Sequence, residues 1–547
     1  MPHHSSSLAR SAMAVLQPGF EGAEPPAWLR RALADDGLGG VVLFARNLPD
    51  PARTADLVAG LRAENPAVVV AVDEEGGAVT RLQATTGSSW PGNRALGVGD
   101  DTGLTRLVAR EIGRLLGTAG ITLDYAPVAD VDAGPHNPVV GVRSFGSDPG
   151  LVARHTSAWV SGLQETGVAA CAKHFPGHGG TVVDSHRALP TVHASPRLLA
   201  ERDLPPFRAA VAGGVRAVMC GHLLVPALDP DHPATLSRRI TTGLLRQELG
   251  FDGMIVTDAI EMRAVAARHT PGEIAVRALA AGADAICAGV SSPDGASVYA
   301  LRDAIVDAVR EGRLPEERLA EAAARVLALS DWYAGNTAAR ARARTGSQAG
   351  SQAGSQAGTQ AGTRGESRLG LRAARAALRV LIRDAPPPGA PSRTTPGPVL
   401  SAPPLVVAVA LRGSPPAAVT EPAEPAEPAE PAGPLRPVEP TESMRLTGIA
   451  DALAGLLPGT VGHTVTARAP ELPDLGGPER PLVLVVHDVR LHPWAAEVLA
   501  RALRLRPDAV VVETGLPGEP AGAVYVTTNG VSRASARVVA HRLTGGE

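Results

Sequence analysis

The chain of 547 residues contains a single lysine, Lys173, although Lys and Arg together number 52. It is also poor in cysteine, with three, and in aromatic residues, at 3%. Each scarcity excludes something. Cys171, Cys220 and Cys287 are scattered, odd in number and set in apolar runs, so they read as buried thiols and not as a disulfide framework. No run reaches the roughly 18 apolar residues of a membrane-spanning helix. Met1 to Phe20 lacks the basic start and long apolar core of a secretory signal, so the expected compartment is the cytoplasm. The formal net charge of −3 supplies no field for gathering nucleic acid or an anionic membrane, and neither is an expected partner.

What the chain does contain is 44% apolar and 20% charged residues, the balance of a soluble globular protein. At about 100 to 200 residues per domain, it has room for two or three. Short apolar runs recur with helical segments between them: 41–44, 68–73, 123–130, 169–174, 217–222, 254–258 and 285–288. Strands alternating with helices over this length predict a parallel sheet covered by helices, and the number of runs suits a (β/α)₈ TIM-like barrel. Several runs end in Asp73, His174, His222 or Asp258, at the strand ends where barrels place their chemistry.

A helix over Glu311 to Leu329 is expected to close a first domain spanning 1–335. A low-complexity linker, 336–368, follows with SQAG-type repeats between Gly346 and Thr363. Residues 369–547 then read as a smaller α/β domain, with strands at 377–382, 405–410, 481–486 and 509–512 and a helix over Trp494 to Leu505. It is interrupted around 415–440 by a Pro-rich insertion whose EPA repeat, Glu421 to Ala432, is expected to be extended and solvated.

The densest chemical segment is KHFPGHGGTVVDSHRALP, from Lys173 to Pro190, with one Lys, three His and one Asp in 18 residues. A chain that uses Arg everywhere else is expected to keep Lys where a compact ammonium is needed, drift being the bland alternative. Three readings of the segment compete. His174 and His178 have metal-ligand spacing, but Pro176, Gly177 and Gly179 prevent the helix that would give them a shared face. A structural loop is the second reading, and general acid–base chemistry is the third and favoured one. In Asp184-Ser185-His186 an extended backbone would project the carboxylate and imidazole to one side, so that Asp184 fixes the tautomer and frees the other nitrogen for proton transfer.

A second element, GFDGMIVTDAIEM, places Asp258 at a strand end, as a nucleophile or alternatively as a helix N-cap. In AVDEEGGAVTRL, Asp73 precedes a glycine pair that lets backbone approach a ligand. In HNPVVGVRSFGSDP, Arg143 offers a fork of donors to hydroxyl or carboxylate oxygens. Either of the last two could equally be a buried ion-pair element.

Together the four elements resemble the β-N-acetylhexosaminidase branch of family 3 glycoside hydrolases, over roughly residues 8 to 335. The family loop K-H-F-P-G-H-G-D-T-x-x-D-S-H-x-x-L-P is matched except at Gly180, which replaces Asp. D-x-E-G-G is present with Glu74 at the variable position and Ala78 where the family often has Arg, while R-S-F-G and T-D-A-x-x-M are intact. The resemblance implies Asp258 as nucleophile, His186 as acid/base and Asp184 as its orienting partner. It assigns Asp73, Arg143, Lys173, His174 and His222 to the terminal sugar. The implied reaction is retaining hydrolysis of a terminal β-linked N-acetylglucosamine on a carbohydrate such as a cell-wall muropeptide fragment, with no metal and no cofactor. Related β-glucosidases take their acid/base Glu from the second domain, so D-S-H in the first argues against that activity. Two rivals remain: phosphorolysis, since a histidine acid/base leaves no fixed negative charge to repel phosphate, and a sugar-binding protein without turnover.

Overall fold

The computed structural model describes residues 2–134, 137, 139–348, 367–382, 399–410 and 448–546. The N-terminal domain carries eight strands: β1 Leu16–Pro18, β2 Gly40–Leu43, β3 Val69–Val72, β4 Leu123–Asp124, β5 Ala169–Phe175, β6 Ala217–Cys220, β7 Met254–Thr257 and β8 Ile286–Ala288. Six of them form one all-parallel sheet in chain order, β2 to β7, and β1 pairs parallel with β8. The two sheets touch at both edges. Val256 bridges Ala285 beside β8, and the Gly39 amide ahead of β2 donates to the Met13 carbonyl, 3.2 Å away.

Val-rich runs without polar alternation suit strands buried on both faces, and every residue of β1 to β8 is buried. Their side chains divide by parity. Val42, Val69, Ala71, Leu123, Ala169, Cys171, Ala217, Met219, Met254, Val256, Ala285 and Cys287 form one cluster inside the curl of the sheet. The intervening Val41, Val70, Val72, Ala170, Ala172, Val218 and Ile255 pack outward against the helices. The helix Thr102–Thr118 shows how that outer layer is built. Asp101 caps it by accepting from the Leu104 amide, and Leu104, Val108, Ile112 and Leu116 repeat every four residues down its buried face. It lies against Pro149–Gln164 so closely that a Cβ on Gly162 would sit 2.1 Å from the Arg106 carbonyl oxygen, hence the glycine.

The first domain ends in one long helix, Glu316–Gln348, which runs past its expected end at Leu329. Residues 349–366, which include the remainder of the SQAG repeat, lie outside the described residues, as does the EPA repeat. The C-terminal domain is a six-stranded mixed sheet ordered β11-β10-β12-β13-β14-β9. Its members are β9 Arg379–Ile382, β10 Leu405–Ala410, β11 Val461–Thr466, β12 Leu482–Val486, β13 Val510–Glu513 and β14 Val524–Thr527, with β9 antiparallel to its neighbour. It is held to the first domain by direct hydrogen bonds. The Arg533 amide donates to the Ser88 carbonyl at 2.9 Å, its guanidinium to Ser89 Oγ at 2.6 Å, and Arg379 to the Val98 carbonyl at 3.1 Å. This docking carries the Val531 carbonyl to 3.5 Å from the position a Cβ on Gly77 would occupy.

Candidate active site

The inward parity of the strands positions the chemistry. Val69 and Ala71 are followed by Asp73, Ala169 and Cys171 by Lys173, and Met254 and Val256 by Asp258. Each charged residue is therefore the next inward-facing position, just past the strand end for Asp73 and Asp258 and near the end of β5 for Lys173, delivered to one place by a two-residue repeat. Asp73, Lys173 and Asp258 line a single cavity with Arg143, His174, His178 and His186. Phe44, Tyr125, Val139 and Met219 supply its apolar wall.

On one side of the cavity lies an ionic cluster. Lys173 is buried, and its Nζ donates to Asp73 Oδ1 at 2.6 Å and approaches Glu75 Oε1 at 2.7 Å. Arg143 forks onto the same Glu75, with Nε to Oε2 at 2.9 Å and Nη2 to Oε1 at 2.7 Å. Burial disfavours every charge here, yet the partners outweigh it. Arg143 and Lys173 hold the Glu75 carboxyl well below its usual range, while Asp73 and Glu75 raise the Lys173 ammonium. Glu75 was not among the sequence candidates. The signal available was the second acidic residue of D-E-E-G-G, which shares the parity of Asp73. Its neighbour Glu74 turns away, and Glu74 Oε2 accepts from the Arg81 and Leu82 amides at 2.8 and 3.0 Å.

The opposite side carries imidazoles. His174 Nδ1 lies 2.7 Å from Asp130 Oδ2, and Asp130 Oδ1 accepts the His178 amide at 2.7 Å, so one buried carboxylate fixes the turn after β5. Asp130 is another residue the sequence reading did not select. His178 bonds Thr181 Oγ1 at 2.7 Å, and burial with the neighbouring His174 pushes its pKa down to about 4, which keeps it neutral near pH 7. His222 follows β6 as expected but is not among the residues lining the cavity. Its ring is used up by Thr235 Oγ1 at 2.9 Å and the Ala259 carbonyl at 3.0 Å, which braces the residue next to Asp258.

Asp184 and His186 are joined as the motif suggests but by a different backbone. The segment is a turn, not extended chain, with the Asp184 carbonyl accepting from the Arg187 and Ala188 amides. The short turn lets Asp184 Oδ1 take both the His186 amide at 2.9 Å and ring Nδ1 at 2.6 Å. Burial opposes the Asp184 charge, but these bonds from His186 keep its carboxyl below the usual range. His186 Nε2 is left as the nitrogen with proton-transfer capacity. At Gly180, where the related loop has Asp, the Arg202 guanidinium lies 2.7 Å from where a Cβ would be, paired with Asp203 at 2.9 Å. His136, in the Arg143 motif, lies outside the described residues.

Asp258 Oδ1 accepts the Ala259 amide at 2.9 Å, and although burial resists ionisation, His174, His222 and His186 hold the carboxyl below its usual range. It is thus an anion facing three imidazoles. Glu261, three residues on, behaves oppositely. Burial and the nearby Asp258 outweigh its bond from the Gly289 amide at 3.1 Å and raise its pKa to about 7. A raised carboxyl pKa means that the native state holds the proton more tightly than the unfolded chain. The stability it contributes is full below about pH 4.5 and is lost as pH rises through 7. Glu261→Gln should therefore flatten the fall in thermal midpoint between pH 5 and 8, by about 1–3 kcal/mol of stability at the alkaline end. Parallel midpoint–pH curves for the variant and the wild type would remove this assignment.

Comparison with known proteins identifies the family. Residues 15–329 match the model of the glycosyl hydrolase family 3 N-terminal domain. The chain belongs to that family. It is 32% identical over 349 residues to "Beta-hexosaminidase A" of Pseudoalteromonas piscicida, covering 59% of this chain and 57% of that protein. It is 40% identical over 262 residues to "Beta-hexosaminidase" of Pseudomonas aeruginosa, covering 47% of this chain and 76% of the relative. A solved family 3 β-N-acetylglucosaminidase from Paenibacillus superposes with a TM-score of 0.77 at 31% identity, over 98% of this chain and 96% of the other. This family 3 chain thus shares both domains with a solved relative. Among its described residues no helix is long and apolar enough to cross a membrane.

Proposed function

We propose that the chain is a retaining exo-β-N-acetylglucosaminidase acting on the non-reducing end of a carbohydrate such as a muropeptide fragment, in the cytoplasm. The observation that carries this reading is that Asp258 and His186 line one cavity, with His186 Nδ1 engaged by Asp184. Asp258 attacks the anomeric carbon as the bond to the leaving oxygen breaks, and His186 Nε2 gives that oxygen its proton. The neutral His186 then takes a proton from water, whose oxygen attacks the same carbon and releases Asp258. Asp184 stays ionised and holds Nδ1–H through both steps. Asp73, Lys173, Arg143 and His174 bind the hydroxyls of the terminal sugar, and His222 supports the strand end through Ala259. The two parallel sheets of the first domain together make an eight-stranded barrel whose carboxyl ends carry this site.

Turnover of an aryl N-acetylglucosaminide against the matching aryl glucoside, each with and without phosphate, tests the reading. Preference for the glucoside would overturn it. Release of sugar 1-phosphate would favour phosphorolysis, the second reading, which the imidazole acid/base supports because it adds no fixed negative charge beside the anomeric carbon. His186→Ala should lower kcat/KM by roughly 10²- to 10⁴-fold on substrates with poor leaving groups and spare those whose leaving oxygen needs no proton. An equal loss across a leaving-group series would show that His186 is not the acid.

A further inference from the structure

A second cavity, of about 420 Å³, opens between the two domains and shares no lining residue with the catalytic one. Three arginines from separate chain segments face it. Arg94 comes from the helix Asn93–Gly99, Arg202 from the stretch after the dyad loop, and Arg490 from the turn Val489–Leu491 that follows β12. Leu516 and Pro517 close the C-terminal side. Against these cations stands Asp132, 3.5 Å from Arg94 Nη1, while Arg202 is already paired with Asp203. Asp488, close enough to repel Asp132, brings a third carboxylate to the cleft, so the formal charges balance and the free donors mark where an anion would bind. Arg94 Nε and Nη1 are buried without a hydrogen-bond partner among the described residues, and Arg490 has neither hydrogen bond nor ion pair among them.

Unmade bonds on buried guanidinium nitrogens are costly, and like charges gathered at one cleft repel. Arg94 bears both penalties, since burial and then the nearby Arg490 hold its pKa down. The frame around Arg490 is also rigid. Asp488 takes the left-handed conformation at φ 46° and its Oδ1 accepts the Leu516 amide at 2.7 Å, which fixes the turn against the loop opposite. Donors converging from three directions suit a tetrahedral oxyanion better than a single planar carboxylate, which one arginine fork would satisfy.

We infer that this interdomain cleft binds a phosphate-type oxyanion, free or as a phosphate monoester, bridging Arg94 and Arg202 of the first domain to Arg490 of the second. The bound anion ties the domains together. The test uses the full chain with saturating N-acetylglucosamine to occupy the catalytic cavity, titrated with inorganic phosphate or glycerol phosphate against chloride of matched ionic strength. The thermal midpoint should climb with phosphate concentration as mass action requires. Arg490→Ala removes an exposed side chain without structural bonds and should weaken the response by about tenfold or more, with Arg94→Gln acting likewise. A response to glycerol phosphate equal to that of phosphate supports a monoester ligand, and a response to phosphate alone supports the free ion. No response beyond that of chloride overturns the inference. So does an unchanged titration in Arg490→Ala, or a response that saturating N-acetylglucosamine abolishes, which would move the anion to the catalytic cavity.

Discussion

Asp258→Ala is expected to lower kcat on an aryl N-acetylglucosaminide by roughly 10⁴-fold or more, a loss on the scale seen when a group is removed from a catalytic unit that acts as one. The size follows from what the carboxylate does: it makes the bond that replaces the one being broken. His174, His222 and His186 surround it and favour its charge against burial. The fold has less at stake. The strand up to Thr257 is paired through its own backbone, the Asp258 amide donates to the Cys220 carbonyl at 3.0 Å, and an alanine keeps both. Thermal unfolding and kcat measured on the same preparation separate the two effects. Wild-type turnover in Asp258→Ala would remove the mechanism outright. Restoration of activity by added azide, with the sugar azide formed in the α configuration, would locate the lost group on the α face.

Much of this was legible because parallel strands buried on both faces leave a simple trace. The runs at 41–44, 169–174 and 254–258 mark β2, β5 and β7 to within a residue or so, and their last residues, Phe44, His174 and Asp258, reach the cavity. β1 was not legible, because Leu16–Pro18 is three residues long and ends in proline, too short to carry a pattern. The run 123–130 promised a long strand, but the regular strand is Leu123–Asp124, pairing with β5 resumes as a single bridge from Val128 to Lys173 beyond Pro127, and Asp130 organises His174 and His178. In the second domain β11 and β14 escaped notice. Val461–Thr466 is an edge strand exposed along most of its length, and its composition reads as polar loop. The Asp184 to His186 pair was found by residue type while its backbone was not, since an i, i+2 contact between these side chains can be made by extended chain or by a turn. Glu75 was passed over for a related reason: two adjacent glutamates differ only in parity, and parity is fixed by the strand they follow.

Lys173→Met should be the most damaging change to the first domain short of unfolding it. The ammonium is the only cation that touches both Asp73 and Glu75 in the described structure, at 2.6 and 2.7 Å, and it is 1% exposed. Without it two carboxylates share a buried pocket with only Arg143 to answer Glu75, and breaking a buried pair from one side costs about 3–5 kcal/mol. For a domain of this size that corresponds to a fall in thermal midpoint of roughly 10 °C. The loss should depend on pH in a defined direction. In the wild type the depressed Glu75 carboxyl contributes stability above its unfolded pKa and loses it as pH falls through the folded value; the raised Lys173 contributes at all pH values below its own unfolded range. The variant can recover by protonating Glu75, so the gap between the two proteins should be widest from about pH 5 to 10 and should narrow in acid. Lys173→Arg separates charge from shape. It restores the charge, but its planar fork must enter a space sized for one ammonium beside Arg81 and Arg143, so stability should return only in part while KM stays raised. Should Lys173→Met match the wild type in both midpoint and KM, the ammonium would be a bystander, and the one lysine this chain keeps would owe nothing to the sugar.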